Sequence, residues 1–458
     1  MLKKNDVLDL EITDITNLGF GVARKDGQVV FVSGAVTGDV VKAKVIKVNR
    51  SYAIARCEEI KERSCYRCEG FCKYQSCKSC AYKELSYSYE LELKKNTIKG
   101  AFLAEGLSDI EVVSVTPSPK TESYRNKAQY PISKTRDGDF VIGFYAPKSH
   151  RVTEAADCPL APKIFGEINE TLREFFKKHN YTAYDEESGE GLLRHVYLRR
   201  GEVSCEILLV IVINGSSLPR SEKLVSLIKE RFPAVVGILI NENKENTNVV
   251  LGEKYTLLYG RDHIFDTLSG VELKITAPSF YQVNHASTEL LYAKARELAR
   301  LKAGDVLLDL FCGAGSIGLS MAEDAGELIG IEIVASAVEC ANENAKRMKI
   351  ENAKFFAGDA AETEKLLSGA EEALGHKIMP NVIILDPPRS GCDERLVEFA
   401  SKLSPERIVY ISCNPTTLAR DVKRFSSFGY TAKEVFGFDL FPHTGHVESV
   451  VCLTKETN

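Results

Sequence analysis

The chain has no run of apolar residues long enough to cross a lipid bilayer, so the sequence excludes a helical membrane protein. It shows no signal-peptide pattern either, because polar and acidic residues follow Met1 and Leu2 at once. We therefore expect a cytoplasmic protein that does not bind membranes. In that compartment the thirteen cysteines indicate metal binding or catalysis rather than a framework of disulfide bonds.

An excess of positive charge is also missing, since the formal net charge at pH 7 is −5. The distribution along the chain is uneven, however. Between residues 42 and 99, Lys and Arg are about twice as frequent as Asp and Glu, and residues 120–151 are again basic. The compensating acidic residues come late, for example in 351–372. A basic first half can supply contacts to phosphates, so the net charge does not exclude a nucleic-acid-binding protein.

The chain has 458 residues, which is too long for one ordinary hydrophobic core, and we expect two to four domains. Residues 1–60 are predicted to form a small β-barrel, because short strands and glycine turns alternate there. Lysines occupy one face of the predicted strand 39–48, either as a nucleic-acid surface or as an ordinary solvated face. This block resembles a TRAM domain, an RNA-binding module of the OB-like kind. Residues 61–275 are predicted to form a mixed α/β domain that carries a cysteine cluster.

Five cysteines lie within a short segment at the start of that central domain: Cys65, Cys68, Cys72, Cys77 and Cys80. The last three present thiolates from one tight loop, and both zinc and iron–sulfur clusters accept such an arrangement. Either the first two or the distant Cys158, which precedes a proline, could complete the ligand set. The spacing therefore predicts a metal site and leaves the identity of the metal open.

The last third of the chain, 276–458, is predicted to be a doubly wound, Rossmann-like domain. A buried strand over 305–311 leads into a glycine turn that contains Gly313 and Gly315, and a helix follows. The next strand ends at Glu332, an acid suited to a ribose diol. NAD and S-adenosylmethionine both fit such a corner. The strand end Asp386-Pro387-Pro388-Arg389 favours methyl transfer, because nicotinamide enzymes do not usually need it.

A second strand end carries a thiol, since the apolar run 407–411 is followed by Ser412, Cys413 and an Asn-Pro pair that must break the strand. A lone cysteine at such a place more often packs than reacts. What could overturn this expectation for Cys413 lies elsewhere in the sequence.

Five motifs in order along the chain resemble those of the RNA 5-methyluridine methyltransferases: 280–284, 309–315, 386–389, 412–421 and 446–448. The resemblance implies a class I methyltransferase domain, with Cys413 as the nucleophile and Glu448 as the general base. It implies a set of residues that bind S-adenosylmethionine: Gln282, Phe311, Gly313, Gly315, Glu332, Asp359 and Asp386. It implies a set of [4Fe-4S] ligands: Cys72, Cys77, Cys80 and Cys158.

The chain departs from this family pattern in its cysteine loop, where Lys78 and Ser79 stand in place of two glycines and the first spacing is one residue short. Cys65 or Cys68 could therefore replace a cluster ligand, and zinc is the alternative to iron–sulfur. The expected partner is RNA, in particular 23S rRNA, and the protein is expected to be a monomer.

The chemistry that the resemblance implies requires these residue types. C5 of uracil does not attack a methyl sulfonium by itself, but addition of a thiolate to C6 makes C5 a nucleophile. A base must then remove the C5 proton so that the cysteine can leave. Full ionisation of an ordinary thiol with a pKa of ~8.5 would gain only about tenfold near neutral pH. Holding the reacting atoms in place can contribute about 7–11 kcal/mol, so positioning should dominate.

Three other functions are weaker alternatives. A tRNA 5-methyluridine methyltransferase would use the same chemistry, but enzymes of that group tend to be shorter and to lack the TRAM block and the cysteine cluster. An amino-directed nucleic-acid methyltransferase would have no use for Cys413 or Glu448. A non-catalytic iron–sulfur RNA-binding protein would be expected to have lost one of these residues.

Overall fold

The computed structural model describes residues 2–74, 76–147, 149–358 and 363–455, with backbone only for 363–366. Asp359 lies outside the described residues, and its predicted role in cofactor binding remains a prediction. Within the described part of the chain, no helix is both long and apolar enough to cross a membrane.

The N-terminal segment forms one six-stranded sheet in the order β1-β5-β6-β4-β3-β2. Its strands are β1 Val7–Glu11, β2 Asp14–Ile15, β3 Phe20–Lys25, β4 Gln28–Ser33, β5 Val40–Val48 and β6 Tyr52–Glu62. In β5, Val41, Ala43 and Val45 are buried in the apolar core, whereas Lys42 is exposed. Successive side chains of a strand point to opposite faces, so Lys42 and Lys44 lie on the face away from this core.

The segment after the barrel contains the cysteine loop, then helix α1 Tyr87–Ala104 and strand β7 Glu111–Thr116. β7 lies inside the predicted central domain 61–275, but it pairs in parallel with the strand Glu434–Phe438 of the C-terminal sheet. Val112 and Val115 of β7 are buried in the core of that sheet. The partner strand lies far along the chain, so no local pattern reveals this pairing.

The central sheet has seven strands in the order β10-β9-β8-β11-β12-β13-β14. They are β8 Lys127–Lys134, β9 Phe140–Tyr145, β10 Val152–Glu154, β11 Leu193–Arg200, β12 Ile207–Ile213, β13 Val235–Glu242 and β14 Lys254–Gly260. Helices α2 Lys163–Lys178 and α3 Ser221–Arg231 cover one face. The hairpin of β15 His263–Leu268 and β16 Val271–Thr276 packs against the other face.

The C-terminal sheet is a doubly wound sheet in the order β19-β18-β17-β20-β21-β24-β23-β7, and β22 pairs with β24. Its strands are β17 Val306–Leu310, β18 Glu327–Glu332, β19 Ala353–Ala357, β20 Val382–Leu385, β21 Arg407–Ser412, β22 Tyr430–Thr431, β23 Glu434–Phe438 and β24 Glu448–Lys455. Its helices are α4 His285–Ala299, α5 Ser316–Met321, α6 Ala335–Arg347, α7 Thr363–Leu374, α8 Glu394–Lys402 and α9 Pro415–Ser426. One apolar layer includes residues of α4, α5 and α6, and the other includes residues of α1, α8 and α9.

The directions of the strands determine which residues meet at one edge of the C-terminal sheet. The five strands β17 to β21 run parallel, so their carboxyl ends meet at one edge of the sheet. β24 runs antiparallel to β21, and therefore its first residue, Glu448, lies at that same edge. The chain order reverses between β17 and β20, which is where ligands of doubly wound sheets bind.

Candidate active site

Cys413 follows β21 directly and lies beside the start of β24. Ser412 pairs with Ser449 in the antiparallel register, so the neighbours Cys413 and Glu448 lie next to each other at the strand ends. Asn414 then caps α9, because its side-chain oxygen accepts a hydrogen bond of 3.1 Å from the backbone N–H of Thr416. The thiol is thus held on a short, fixed turn between a strand and a helix.

The loop after β20 is tied to the same turn. The side-chain amide of Asn414 donates to the carbonyl of Arg389 at 3.1 Å, and Thr417 Oγ1 donates to that carbonyl at 3.3 Å. These bonds bring the Asp386–Arg389 strand end against the thiol. The positive charge of Arg389 acts on the thiol of Cys413.

Opposing charges act on the Cys413 thiol. Burial and the carboxyl groups of Glu448 and Asp386 raise its pKa, whereas the positive charge of Arg389 lowers it. Burial dominates, so the pKa lies above the ordinary value and the thiolate is scarce at neutral pH in the free protein. This agrees with a mechanism in which positioning contributes more than ionisation.

Glu448 is a buried carboxyl group, and Asp386 is a partly buried one at the neighbouring strand end. Burial raises the pKa of Glu448 to about 8, with a further rise from Asp386 and a decrease from Arg389. Burial alone raises the pKa of Asp386 to about 7. A carboxyl group with a pKa near the working pH is suited to accept and return a proton.

The glycine turn after β17 has the backbone shape that a cofactor site needs. Gly313 and Gly315 have φ values of +54° and +81°, and a side chain at Gly313 would meet no atom within 4 Å. Phe311 also adopts a left-handed conformation, with φ of +68°. Glu332 accepts a hydrogen bond of 3.0 Å from the backbone N–H of Gly313. Bare backbone that faces open space beside a carboxylate fits the adenosine part of S-adenosylmethionine.

Gln282 is buried just before α4, and its carbonyl accepts a hydrogen bond of 2.7 Å from the side-chain amide of Asn126.

A further acid near the glycine turn was not predicted from the sequence as a site residue. Asp309 is fully buried at the end of β17 and accepts a hydrogen bond of 3.1 Å from Gly318 N–H. Burial raises its pKa to about 8. Asp309 is the first residue of the motif 309–315, but the sequence alone does not show that it is buried.

The four cysteines implied as cluster ligands come together. Lys73 and Tyr74 both donate hydrogen bonds to Asp157, which joins the loop that begins at Cys72 to the segment that carries Cys158. Burial and the thiols of Cys158, Cys77 and Cys72 raise the pKa of Cys80 to about 12.

The other two cysteines lie apart from this group. Cys68 donates to the carbonyl of Leu85 at 3.1 Å, and Cys65 is exposed. Among the described residues, no group of three or more His, Cys, Asp or Glu side chains is arranged so that it could hold a metal ion as it stands. The four thiols affect one another electrostatically without forming a coordination shell.

Two family models match the chain. Residues 243–456 match the model described as tRNA (uracil-5-)-methyltransferase, and residues 2–57 match the TRAM domain. An uncharacterized RNA methyltransferase of Clostridium tetani is 37% identical over 454 residues, which cover 99% of this chain and 97% of that protein. One of Bacillus cereus is likewise 37% identical over 454 residues, with 99% and 98% covered.

A solved structure is similar over almost the whole chain. The tRNA (uracil-54, C5)-methyltransferase of Pyrococcus abyssi, determined with S-adenosyl-L-homocysteine, superposes with a TM-score of 0.78 at 27% identity. The match covers 97% of this chain and 99% of that one. The fold and these comparisons therefore define an S-adenosylmethionine-dependent methyltransferase with a TRAM domain. The chain belongs to the RNA (uracil-5-)-methyltransferase family and is an enzyme of that class.

The two charges that face Cys413 give a prediction about its titration. Glu448→Gln removes a group that raises the thiol pKa, so the rate of alkylation of Cys413 by iodoacetamide should reach its midpoint at lower pH. Arg389→Gln removes a group that lowers it, so the midpoint should move to higher pH. Mass spectrometry of the peptide that contains Cys413 measures the rate. Glu434→Gln, an exposed change on β23, is the control. Identical midpoints in all variants would show that neither charge acts on the thiol.

Proposed function

We propose that this enzyme methylates C5 of a uridine through a covalent bond between Cys413 and C6 of the uracil. The observation that carries the proposal is the antiparallel pairing of β21 with β24, which sets Cys413 and Glu448 side by side at the cofactor edge. The reaction needs one thiol as the nucleophile and one carboxyl group as the base, and this pair supplies both.

The residues of the chain would act in sequence. Cys413 releases its proton to solvent and adds to C6 as the thiolate, which the charge of Arg389 stabilises. S-adenosylmethionine supplies the methyl group that C5 receives. Glu448 then removes the proton from C5, and the electron pair of that C–H bond restores the C5–C6 double bond as the sulfur leaves. Gln282, Phe311, Gly313, Gly315, Glu332 and Asp386 would hold the cofactor, and the carboxyl group of Glu448 is buried.

The preferred substrate in this proposal is a uridine of 23S rRNA. The combination of a TRAM domain with a cysteine cluster supports this choice, as does the exposed lysine face of β5. The target base must leave its stack to reach Cys413, so a loop or an unpaired segment is expected. Such RNA exists in the cytoplasm, where we expect the protein to act as a monomer.

A uridine of tRNA is the second candidate, and one observation favours it. The tRNA methyltransferase of Pyrococcus abyssi matches this chain over nearly the full length of both proteins. Chain length therefore does not separate the two substrate classes, contrary to the expectation from the sequence.

Mapping of 5-methyluridine in RNA from a strain that lacks the gene decides between the two substrates. Loss of the modified nucleoside at one or more positions of 23S rRNA, with tRNA unchanged, is the expected result. Loss in tRNA alone would establish the second candidate, and unchanged 5-methyluridine in both would contradict the proposed function.

We also propose that Cys72, Cys77, Cys80 and Cys158 hold a [4Fe-4S] cluster. The spacing of these cysteines in the sequence supports the proposal, although they do not form a coordination shell in this structure. Burial and the neighbouring thiols raise the pKa of Cys80 and Cys158, and bound cations would reverse that penalty. Cys65 and Cys68 are not needed as ligands, since Cys68 is directed at the carbonyl of Leu85.

The cluster predicts that protein purified without oxygen is brown and contains about four irons per chain. Cys80→Ser should lose most of the iron and the colour. Cys65→Ser, which alters an exposed thiol outside the group, should retain both. A colourless wild-type protein that contains zinc would refute the iron–sulfur assignment.

A further inference from the structure

Three cationic side chains meet on the central sheet near the catalytic edge. Lys127 of β8 lies directly opposite Arg199 of β11 in the antiparallel register. Arg125 precedes β8 and forms an isolated β-bridge with Asn284, the residue that caps α4. The neighbours Ala128 and Tyr130 face the core under α2 and α3, so Lys127 points to the opposite face of the sheet.

This cluster lacks the acids that usually accompany buried cations. Within the described residues, no carboxylate forms an ion pair with Arg125, Lys127 or Arg199. Arg199 is fully buried, and its Nη1 donates to the carbonyls of Thr276 and Ser279 at 3.1 Å and 2.8 Å. Its Nε and Nη2, like Nε of Arg125, are buried without a hydrogen-bond partner.

The pKa of Lys127 shows that its charged form is unfavourable in this cluster. Burial, together with the charges of Arg199 and Arg125, lowers the pKa of this lysine to about 8. Like charges held together in a partly desolvated place are unfavourable unless an anion offsets them. Lys127 is only half-buried, and its ammonium group has no hydrogen bond to a described protein atom, so a ligand can reach it.

The cluster also lies beside the reacting groups. Arg125 and Arg389 both lower the pKa of His446, which stands two residues before Glu448. The side chain of Asn126, between Arg125 and Lys127, donates to the carbonyl of Gln282. Positive charge therefore extends from Arg389 at the thiol to Lys127 on the central domain.

The charge of Arg125 also acts on Cys80 and Cys158, the proposed cluster ligands, so Arg125 is shared with the cysteine group. We propose that Lys127, with the charge of Arg199 beneath it, binds a backbone phosphate of the RNA next to the uridine that enters the active site. The inference rests on the proposed function, because it takes RNA as the substrate. A phosphodiester supplies the single negative charge and the acceptor oxygens that the cluster lacks. Fixing one phosphate would set the register of the strand so that only one nucleotide reaches Cys413.

A change at Lys127 tests the proposal through the salt dependence of RNA binding. The dissociation constant of full-length enzyme for a fluorescein-labelled oligouridylate is measured over a series of KCl concentrations. Lys127→Gln should weaken binding and reduce the slope of log affinity against log salt by about 0.7, the value for one single-strand phosphate. Lys127→Arg keeps the charge and should keep the wild-type slope.

A control variant and a second binding measurement distinguish loss of the phosphate site from a general loss of charge or of the cofactor site. Lys163→Gln removes an exposed charge on α2, on the other side of the central sheet, and should leave the slope unchanged. An unchanged slope in Lys127→Gln, or an equal loss in Lys163→Gln, would overturn the phosphate site. Binding of S-adenosyl-L-homocysteine, measured in parallel, should not change in any variant. Absence of methylated product from wild-type enzyme on unmodified rRNA and tRNA would instead count against the proposed function, while the salt slopes still report on the phosphate site.

Discussion

Replacement of Cys413 by alanine is expected to abolish methylation of RNA, with a loss of at least about 10³-fold in rate. Without the thiol, C5 of the uracil cannot become nucleophilic, and correct placement of the other groups does not compensate. The measurement is transfer of a labelled methyl group from S-adenosylmethionine to unmodified rRNA or tRNA. Binding of oligouridylate should remain, because Cys413 is a small, half-buried residue that does not support the barrel or the central sheet.

Cys340→Ala is the matched control for this change. Cys340 is also half-buried and free, but it lies on α6, away from the β21–β24 edge. Activity of this variant should be close to that of the wild type. Turnover by Cys413→Ala at a rate similar to the control would contradict a covalent mechanism.

Glu448→Gln is expected to accumulate a covalent complex of enzyme and RNA. Glutamine preserves the shape of the side chain but does not take the proton from C5, so the methylated base stays attached to Cys413. The complex should survive denaturing electrophoresis as a band of reduced mobility, and steady-state turnover should fall by about 10²- to 10⁴-fold, as for loss of a general base.

The double variant that combines Cys413→Ala with Glu448→Gln controls for other crosslinks, and it should form no such band. Rapid turnover by Glu448→Gln without an adduct would show that another group removes the proton. Asp386, whose pKa is raised to about 7, would then be the residue to examine.

Local patterns in the sequence were sufficient to predict the strands and the turn that carry the proposed site residues. The strand before Cys413, the glycine turn and the strand that ends at Glu332 were all predicted close to their observed bounds. These features are visible because a buried parallel strand is a continuous apolar run and its end is marked by Gly, Pro or a polar residue.

Features that depend on distant pairing could not be predicted in this way. β7 has the alternation of a strand, but nothing nearby indicates that it extends the C-terminal sheet. The effect of Arg389 on Cys413 depends on their proximity in the fold, although Arg389 itself belongs to a recognised motif. The cluster of Arg125, Lys127 and Arg199 arises from the register of β8 with β11, which brings together residues far apart in sequence.

The most direct test of the covalent mechanism uses RNA in which 5-fluorouridine replaces uridine. Fluorine at C5 cannot leave as a cation, so the reaction should stop after methyl transfer with the base bound to the enzyme. Incubation with S-adenosylmethionine, nuclease digestion and peptide mass spectrometry then locate the adduct. The account predicts one methylated fluorouridine adduct, on the peptide that contains Cys413. Attachment to a different cysteine, or methylation of normal RNA with no trapped complex from the fluorinated RNA, would contradict it.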